Sequence, residues 1–437
     1  MTTDDAVAFA RTASRSDAPT EVGAHLRARV LDTLAATTAG YRLPTADVVR
    51  TYATDRFADV AEATLLDGTG SRLSLEAATL VNATAANALD VDDGNREVKG
   101  HPAAVVVPAA LAAAEAADAT VGEFLDGVLV GYELGVRAGL AIHATDGVYT
   151  GTGSWGALGA AAAVGRLRGL DHATLAQALG TAEYHAPRTP IMRGVERPGM
   201  TKDGIGWGSY AGVSAALLAE RGFTGSGTVF DASDVDHADS LGSRYHVTEG
   251  YLKPYPCCRW AQPGVAAVLA LRDRADLDPD AVERVLVETF EEATHLGTRH
   301  PDSAEAAEYS YPYPVAVALA RGRFTPADLD ETAREAPDVL ALADRVALVA
   351  EPSLDERFPT ECLARVTVET PTDTYRSAVT RSPGAREQPL SERERVEKAR
   401  GLLTPTLDAR ALESVRETLR TPDRPVEALL APWSIEA

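Results

Sequence analysis

The segment LDVDDGNREVKGHP, at residues 89–102, carries side chains that can transfer protons or bind ions. Asp90, Asp92 and Asp93 fall within four positions, and His101 follows before a proline. Carboxylates and imidazoles are common general bases and acids in enzymes. Three carboxylates facing one point would suit Mg²⁺ or Ca²⁺, but the loop lacks the spacing of an EF-hand. We therefore predict no metal site, take Asp90 as an inward-facing base or hydrogen-bond partner, and expect Asp92 and Asp93 to be solvated.

Lysine is rare in this chain, which has four lysines against 38 arginines. Lys202 lies in GMTKDGIGWGSYAG and Lys253 in YLKPYPCCRW, so glycine or proline turns surround both. A lysine ammonium is a compact charge whose pKa shifts readily when it is desolvated, and arginine does not offer this property. These settings favour functional roles for Lys202 and Lys253. Chance placement explains Lys99 equally well, and Lys398, in the helical SERERVEKAR segment, is expected to be solvated.

The same segments hold further polar groups, namely Arg193, Arg259, Tyr313 and the pair Cys257 and Cys258. Cations suit a substrate with carboxylates. A base beside them could remove a proton α to a carboxylate while the cations stabilise the developing negative charge. The two arginines could equally be surface residues, and Tyr313 could be core. The cysteines are expected to line the site because no nucleophile–base pair is visible in the sequence.

The sequence GTGSWG, Gly151 to Gly156, fits the G-x-G-x-x-G pattern of dinucleotide-binding folds. That function needs a preceding strand and a surrounding βαβ unit. Here the preceding AIHATDGVYT shows no strand pattern, although Asp171 lies at about the right distance downstream. We expect small residues that allow tight helix packing. A nicotinamide-dependent oxidoreductase remains the alternative from another functional class.

The elements that must position these groups are mostly helices. Val22, Leu26, Val30 and Leu34 recur every four residues and predict one apolar helical face, which Gly40 ends.

A second helix is predicted around GYELGVRAGLAI. Gly131, Gly135 and Gly139 recur every four residues and leave a smooth ridge for another helix. Glu133 and Arg137 on this helix are expected to form an exposed ion pair.

The pattern changes after about residue 248. VERVLVETF and ARVTVETPTDTYRSAV alternate as strands do, and Ser391 with Glu394 predicts a capping box for a late helix. The fold class predicted is mostly α, with an all-α domain at 1–248 completed by 393–437, and a smaller α+β lid domain at 249–392.

Composition limits the classes of partner. The chain of 437 residues carries 64 acidic against 42 basic residues, a net charge of −22 at pH 7. Such a charge repels nucleic acids and anionic membranes. Abundant carboxylates with almost no lysine favour a halophilic protein, because high salt screens self-repulsion. Three cysteines, no basic-then-apolar signal and no long apolar stretch predict a cytoplasmic protein without a disulfide framework.

Several spaced blocks resemble the MmgE/PrpD family: ALDVDDGNREVKGHPAAVVVPAAL, GTGSWGALGAAAAVGRLRGLD, MTKDGIGWGSYAGVSAALLAERGFTG, LKPYPCCRWAQPGV and YSYPYPVAVALARG. The family includes 2-methylcitrate dehydratase, cis-aconitate decarboxylase and iminodisuccinate epimerase. The resemblance implies a helical domain with an α+β lid, a homodimer, and a cleft site without metal or organic cofactor. By position it brings Asp90, His101, Lys202, Lys253 and Tyr313 into that site.

The chain also departs from the decarboxylase-type members. Those members carry histidines at about Thr150 and Cys258, a threonine at Gly94, and a histidine is common in the family where Gln262 stands. The departures favour dehydration or epimerisation over decarboxylation, and leave open a binding protein that has lost catalysis.

The prediction is thus a cofactor-independent lyase, of the dehydratase type, acting on a small hydroxy di- or tricarboxylate. The candidate catalytic residues are Asp90, His101, Lys202 and Tyr313, and the candidate substrate-binding residues are Lys253, Cys258, Arg193 and Arg259. Other histidines are expected either at the surface or as neighbours of the pocket: His25, His172, His237 and His246 in the first group, His143 and His185 in the second.

Overall fold

Helices make up most of the chain, as predicted. The computed structural model describes residues 1–57, 60–232, 240–274 and 277–434. The helices of the first part are α1 (Thr3–Thr12), α2 (Thr20–Gly40), α3 (Pro44–Phe57), α4 (Leu75–Ala88), α5 (Pro102–Ala116), α6 (Val121–Asp146), α7 (Thr152–Leu167), α8 (His172–His185), α9 (Met192–Glu196), α10 (Ile205–Ala219) and α11 (Val229–Ala232). Four two-residue strands accompany them: β1 (Ala63–Thr64), β2 (Arg72–Leu73), β3 (Asp93–Gly94) and β4 (Tyr251–Leu252).

The mixed part follows α12 (Gln262–Arg274). Its strands are β5 (Arg284–Thr289), β6 (Val346–Ala350), β7 (Leu363–Glu369), β8 (Thr374–Arg376) and β9 (Thr380–Arg381). Its helices are α13 (Glu291–Thr294), α14 (Ala304–Glu308), α15 (Pro312–Arg321), α16 (Glu331–Arg334), α17 (Pro337–Asp344) and α18 (Pro352–Asp355). The strand order is β6-β5-β7-β8, with β5 parallel to β6 and antiparallel to β7, and β9 pairs with β7.

The chain then returns to helices α19 (Glu392–Leu403), α20 (Ala409–Thr418) and α21 (Glu427–Leu430). The predicted capping box opens α19, since Ser391 and Glu394 cap each other's backbone. Helix α19 packs on α2. Within the described part of the chain, no helix is both long and apolar enough to cross a membrane.

The predicted apolar face of α2 is confirmed. Val22, Leu26, Val30 and Leu34 are all buried, and the helix ends at Gly40. Helices α4 and α5 pack against α2, so this stripe forms part of the central core.

Close packing of α6 on α7 explains the glycines of both helices. A Cβ on Gly131 would lie 2.7 Å from the carbonyl oxygen of Gly159, and one on Gly135 would lie 3.5 Å from the Gly159 Cα. The G-x-G-x-x-G sequence forms the start of α7, and the preceding element is helix α6. Within residues 121–185, all of which are described, the neighbouring elements α6 and α8 are helices and form no βαβ unit, so the dinucleotide-binding alternative is wrong.

The ion pair on α6 is buried rather than exposed. Glu133 Oε2 lies 2.5 Å from Arg137 Nη1, and both side chains are at most 1% exposed. Glu133 also accepts hydrogen bonds from the backbone of His246 and Val247. The prediction failed because the segment that precedes β4 covers this face of α6, which the helical spacing alone does not reveal.

His246 is correspondingly buried, against the expectation of a surface position. His172 and His185 are exposed, His25 is half-buried, and His237 lies outside the described residues.

Lys398 on α19 is a further correction. Its ammonium contacts Asp32 Oδ1 at 2.5 Å and the Val91 carbonyl at 2.7 Å, and the side chain is only 8% exposed. It joins α19 to α2 and to the loop that carries Asp90.

Candidate active site

A short antiparallel pairing positions the acidic segment. Strand β3 pairs with β4 in the register Asp93 to Leu252, which brings Lys253 beside the loop that follows α4. Asp90 and Lys99 both adopt φ of 48°, in the left-handed region that side chains rarely occupy. His101 ends this loop, and Pro102 opens α5 directly after it.

His101 lies at the centre of a buried charged cluster. Its Nδ1 is 3.0 Å from Asp92 Oδ2 and 2.8 Å from the Asp93 carbonyl, and its Nε2 is 3.5 Å from Asp90 Oδ1. The Lys253 ammonium lies 2.9 Å from the same Asp90 oxygen. Because the partners of Nδ1 fix the ring, Nε2 is the nitrogen available for proton transfer.

Electrostatics keep this imidazole protonated. Burial and the Lys253 charge lower the pKa of His101, but the carboxylates of Asp92 and Asp90 outweigh both and raise it to about 9. Burial opposes ionisation of Asp92 too, yet the His101 charge holds the Asp92 pKa well below its usual range. Burial likewise lowers the pKa of Lys253, and the carboxylates of Asp90 and Asp92 more than compensate, so the Lys253 pKa is raised. At neutral pH the cluster therefore holds an imidazolium and an ammonium among carboxylates.

Asp92 and Asp93 are fully buried, so the prediction that they are solvated is wrong. Asp92 accepts a hydrogen bond from the Asn87 side chain at 2.9 Å. Asp93 accepts one from the Ala103 backbone amide at 3.0 Å, near the N-terminus of α5, and one from the Tyr132 hydroxyl at 3.1 Å. Burial raises the pKa of Asp93 to about 6. Polar donors of the protein thus replace solvent for these carboxylates, and for Asp93 one of them is a backbone amide at the start of α5.

Only two of the three aspartates face His101. Ligand atoms of Asp90, Asp92 and His101 lie within 4.8 Å of one another, which is compatible with a metal ion. However, the Lys253 ammonium already compensates the Asp90 carboxylate. The absence of a metal stays a prediction.

Lys202 sits behind this cluster. Its ammonium lies 2.5 Å from Glu308 Oε2 and donates to the Asn87 carbonyl at 2.5 Å. The Glu308 side chain is fully buried, and burial raises its pKa against the effect of the Lys202 charge. The Lys202 ammonium is therefore already paired with a carboxylate of the protein.

A cavity of about 500 Å³ opens beside His101. Its wall includes the predicted site residues Asp90, His101, Lys253, Cys258 and Arg259. Sequence reasoning missed several polar groups that also line it: Asp203, Tyr251, Tyr309, Arg96, Glu292 and His295. Lys99, left open in the sequence analysis, lines it as well.

Asp203 and Tyr309 had a visible signal, since Asp203 directly follows Lys202 and Tyr309 begins the YSYPYP block. The Thr152 hydroxyl accepts a hydrogen bond from the His101 amide at 3.1 Å and donates one to Asp203 at 3.0 Å. Thr152 therefore connects the start of α7 to both cavity residues.

Three predicted site residues lie outside the cavity: Lys202, described above, Tyr313 and Arg193. The Tyr313 hydroxyl donates to the Asp328 carbonyl, and its ring packs against Phe324 in the core. Tyr309, four positions earlier, takes the place at the cavity wall. Arg193 is exposed and lines a neighbouring cavity of about 790 Å³. The sequence alone does not show that Tyr313 and Arg193 lie outside the cavity.

Comparison with known proteins places the chain in a family. Residues 5–237 match the MmgE/PrpD N-terminal domain, and residues 255–421 match the MmgE/PrpD C-terminal domain. The chain belongs to the MmgE/PrpD family.

Similar members of this family include fungal proteins. Cis-aconitate decarboxylase of Aspergillus terreus is 25% identical over 460 residues, which cover 95% of this chain and 92% of the relative. The cis-aconitate decarboxylase-like protein oryM of Aspergillus oryzae is 25% identical over 447 residues, covering 92% and 91% of the two chains. The similarity thus extends over both parts of the molecule.

The structure gives physical reasons for three of the departures noted above. A Cβ on Gly94 would lie 2.3 Å from the Tyr251 ring, so Tyr251 occupies the space that a side chain there would need. Thr150 is buried and its amide donates to His143 Nε2 at 3.1 Å. The Gln262 amide donates to the Cys257 carbonyl at 2.9 Å, which is a structural contact.

Burial lowers the pKa of His143 to about 4, so this imidazole is neutral at physiological pH. It does not line the cavity described above.

Proposed function

We propose that this protein is a cofactor-independent lyase that dehydrates a small hydroxy di- or tricarboxylate. The observation that carries the proposal is the buried His101, held between Asp92 and Asp90 and next to Lys253, at the wall of a cavity. An acid whose pKa is about 9 retains its proton at neutral pH and can deliver it to a leaving group.

The proposed step divides acid and base between two groups. The Asp90 carboxylate takes the proton from the carbon α to a substrate carboxylate, and the electron pair of that C–H bond forms the C=C bond. The C–O bond breaks, and His101 Nε2 gives its proton to the departing hydroxyl, which leaves as water. The Lys253 ammonium stabilises the negative charge that develops on the α-carboxylate. Tyr313 has no part in this scheme.

Decarboxylation is the second candidate, because the relatives named above are a cis-aconitate decarboxylase and a decarboxylase-like protein. In that reaction a C–C bond breaks, CO₂ leaves, and His101 would protonate the carbon that retains the electron pair. The lack of an imidazole at Thr150 and Cys258 favours dehydration. Epimerisation would use the same proton abstraction and return the proton to the opposite face.

The experiment is a turnover assay with purified, chelator-treated protein in concentrated KCl. Hydroxy acids such as 2-methylcitrate are offered together with cis-aconitate, and products are identified by NMR. We expect an unsaturated acid without release of CO₂, and loss of turnover by about 10²-fold or more in His101→Asn, which removes the proton donor. The exposed Arg410→Met is the matched control.

Release of CO₂ would select decarboxylation, and exchange of substrate deuterium without an unsaturated product would select epimerisation. Undiminished turnover in His101→Asn would refute the assigned acid. Light scattering on the same preparation tests the proposed homodimer, and activity against KCl concentration tests the proposed halophilic character.

A further inference from the structure

The cations around the cavity differ in whether the protein itself neutralises them. Lys253 lies 2.9 Å from Asp90, and Arg96 lies 2.6 Å from Glu387. Behind the wall, Lys202 is paired with Glu308, as described above. These ammonium and guanidinium groups already have protein carboxylates as partners.

Lys99 and Arg259 are different. Both line the cavity, yet within the described ranges neither side chain makes a hydrogen bond or an ion pair with another protein group. The Arg259 Nε is buried and has no hydrogen-bond partner. Buried charges normally have partners, because desolvation of an unpaired charge is costly. An unpaired cation at the wall of a cavity indicates that an anion completes its surroundings.

Aromatic rings hold both cations in place. The Lys99 ammonium lies 3.8 Å from the centroid of the Tyr149 ring and 5.5 Å from that of Phe358. The Arg259 guanidinium carbon lies 4.6 Å from the centroid of the Tyr251 ring. Such contacts orient a cation and leave its N–H groups free for another partner. For Arg259, the planar fork is then available to bind a carboxylate through two hydrogen bonds.

The backbone of Lys99 also points to a role. It adopts φ of 48°, a conformation that is strained for a residue with a side chain and that glycine would adopt freely.

The two cations line the same cavity. Burial raises the pKa of the Cys362 thiol, and the positive charges of Arg259 and Lys99 oppose that rise. Since Lys99 and Arg259 line one cavity of about 500 Å³, a single small molecule with two anionic groups is the ligand that suits them.

We propose that Lys99 and Arg259 each bind one carboxylate of the substrate, while Lys253 stays with Asp90 at the reacting carbon. This inference rests on the proposed function and changes the roles expected from the sequence, which gave carboxylate binding to Lys253 and a site role to Lys202. The cavity then selects small substrates with at least two carboxylates. Specificity among hydroxy acids depends on the spacing of those carboxylates.

The test uses propane-1,2,3-tricarboxylate, which lacks a hydroxyl and so cannot be dehydrated. Its affinity is measured by calorimetry for the wild type, Lys99→Met, Arg259→Met and the exposed control Arg410→Met. We expect each cavity variant to weaken binding about tenfold or more, since a charge-assisted hydrogen bond is lost, and the control to bind as the wild type does. Butanoate, with one carboxylate, is expected to bind much more weakly than the tricarboxylate to every form.

A second measurement separates a binding role from a structural one. Because neither cation is paired with a protein carboxylate, removing its charge should leave the melting temperature without ligand unchanged or raised, and should reduce the increase caused by the tricarboxylate. Three outcomes would each overturn the inference. They are wild-type affinity for the tricarboxylate in both cavity variants, a lowered melting temperature of the variants without ligand, and no binding of the tricarboxylate to the wild type. If tricarboxylate binding depends on both cations but the protein dehydrates no hydroxy acid, the proposed function is refuted and the inference about carboxylate binding is not.

Discussion

Asp92→Asn tests whether a neighbouring carboxylate sets the protonation of His101. The substitution keeps the size and an acceptor oxygen beside Nδ1 but removes the negative charge 3.0 Å away. At an effective dielectric constant of about 20, two unit charges at this separation interact by about 5 kcal/mol. Burial of the imidazole opposes that attraction, and the His101 pKa of about 9 is the net result.

The expected size of the change follows from this balance. After the substitution, the carboxylate left within ion-pair distance of the ring is that of Asp90, which is shared with Lys253. Burial should then dominate, and the His101 pKa should fall to its ordinary 6.5 or below. A fall of about 2.5 units in the His101 pKa means that the protein stabilises the imidazolium, relative to the neutral ring, by about 3 kcal/mol less than before.

The direct assay is an NMR titration of the His101 ring in the wild type and in Asp92→Asn, with His101→Asn identifying the signal. The exposed Asp55→Asn serves as the control. We also expect the alkaline limb of the pH–rate profile to move from about pH 9 to near neutrality, because the acid loses its proton earlier. A His101 pKa that stays near 9 in Asp92→Asn would refute the electrostatic account.

The same pKa has a consequence for stability. A pKa that is higher in the folded state means that the fold favours protonated His101, so this stabilisation is complete below about pH 6.5 and is lost as pH rises through about 9. Urea unfolding at about pH 6 and about pH 10 should show the wild type losing up to about 3 kcal/mol more than Asp92→Asn. Equal losses would contradict the assignment.

Three further predictions concern packing and buried charge. Lys202→Met should destabilise the fold by about 3–5 kcal/mol in urea unfolding, because it leaves the buried Glu308 unpaired, and Glu308→Gln in the same chain should recover part of the loss. Gly131→Ala should lower the free energy of unfolding by about 1–3 kcal/mol, because its Cβ would lie 2.7 Å from a carbonyl oxygen of α7. Gly23→Ala is the control and should be neutral or stabilising, since its Cβ would lie 3.4 Å from the nearest atom. Equal effects of the two substitutions would contradict the packing argument. Lys398→Met should lower the melting temperature, since the aspartate of α2 that it pairs with is buried, and an unchanged value would mean that this contact adds no stability.

Local patterns were enough to predict much of the fold. The four-residue spacing of Val22 to Leu34 gave the buried face of α2, and the glycines of α6 predicted close packing with another helix. The capping box at Ser391 marked the start of α19 correctly. These predictions succeeded because hydrophobic period, capping and steric space are properties of neighbouring residues.

The candidate site was predicted in its residue types but only in part in its geometry. The unusual settings of Lys253 and His101 indicated the cavity, and both line it. Tyr313 was predicted as a site residue, whereas Tyr309 lines the wall, because Tyr309 follows α14 and Tyr313 lies within α15, where its hydroxyl donates to the Asp328 carbonyl. Lys398 was expected in solvent and is buried against α2.

The sequence by itself determined which chemical groups this protein has, the helices that carry them and its resemblance to the MmgE/PrpD family. Only the tertiary structure decided which charges form pairs. The register of β3 with β4 places Lys253 beside Asp90, and α14 places Glu308 beside Lys202. The reason is that ion pairing depends on distances of a few ångströms between residues far apart in the chain, which no local pattern encodes.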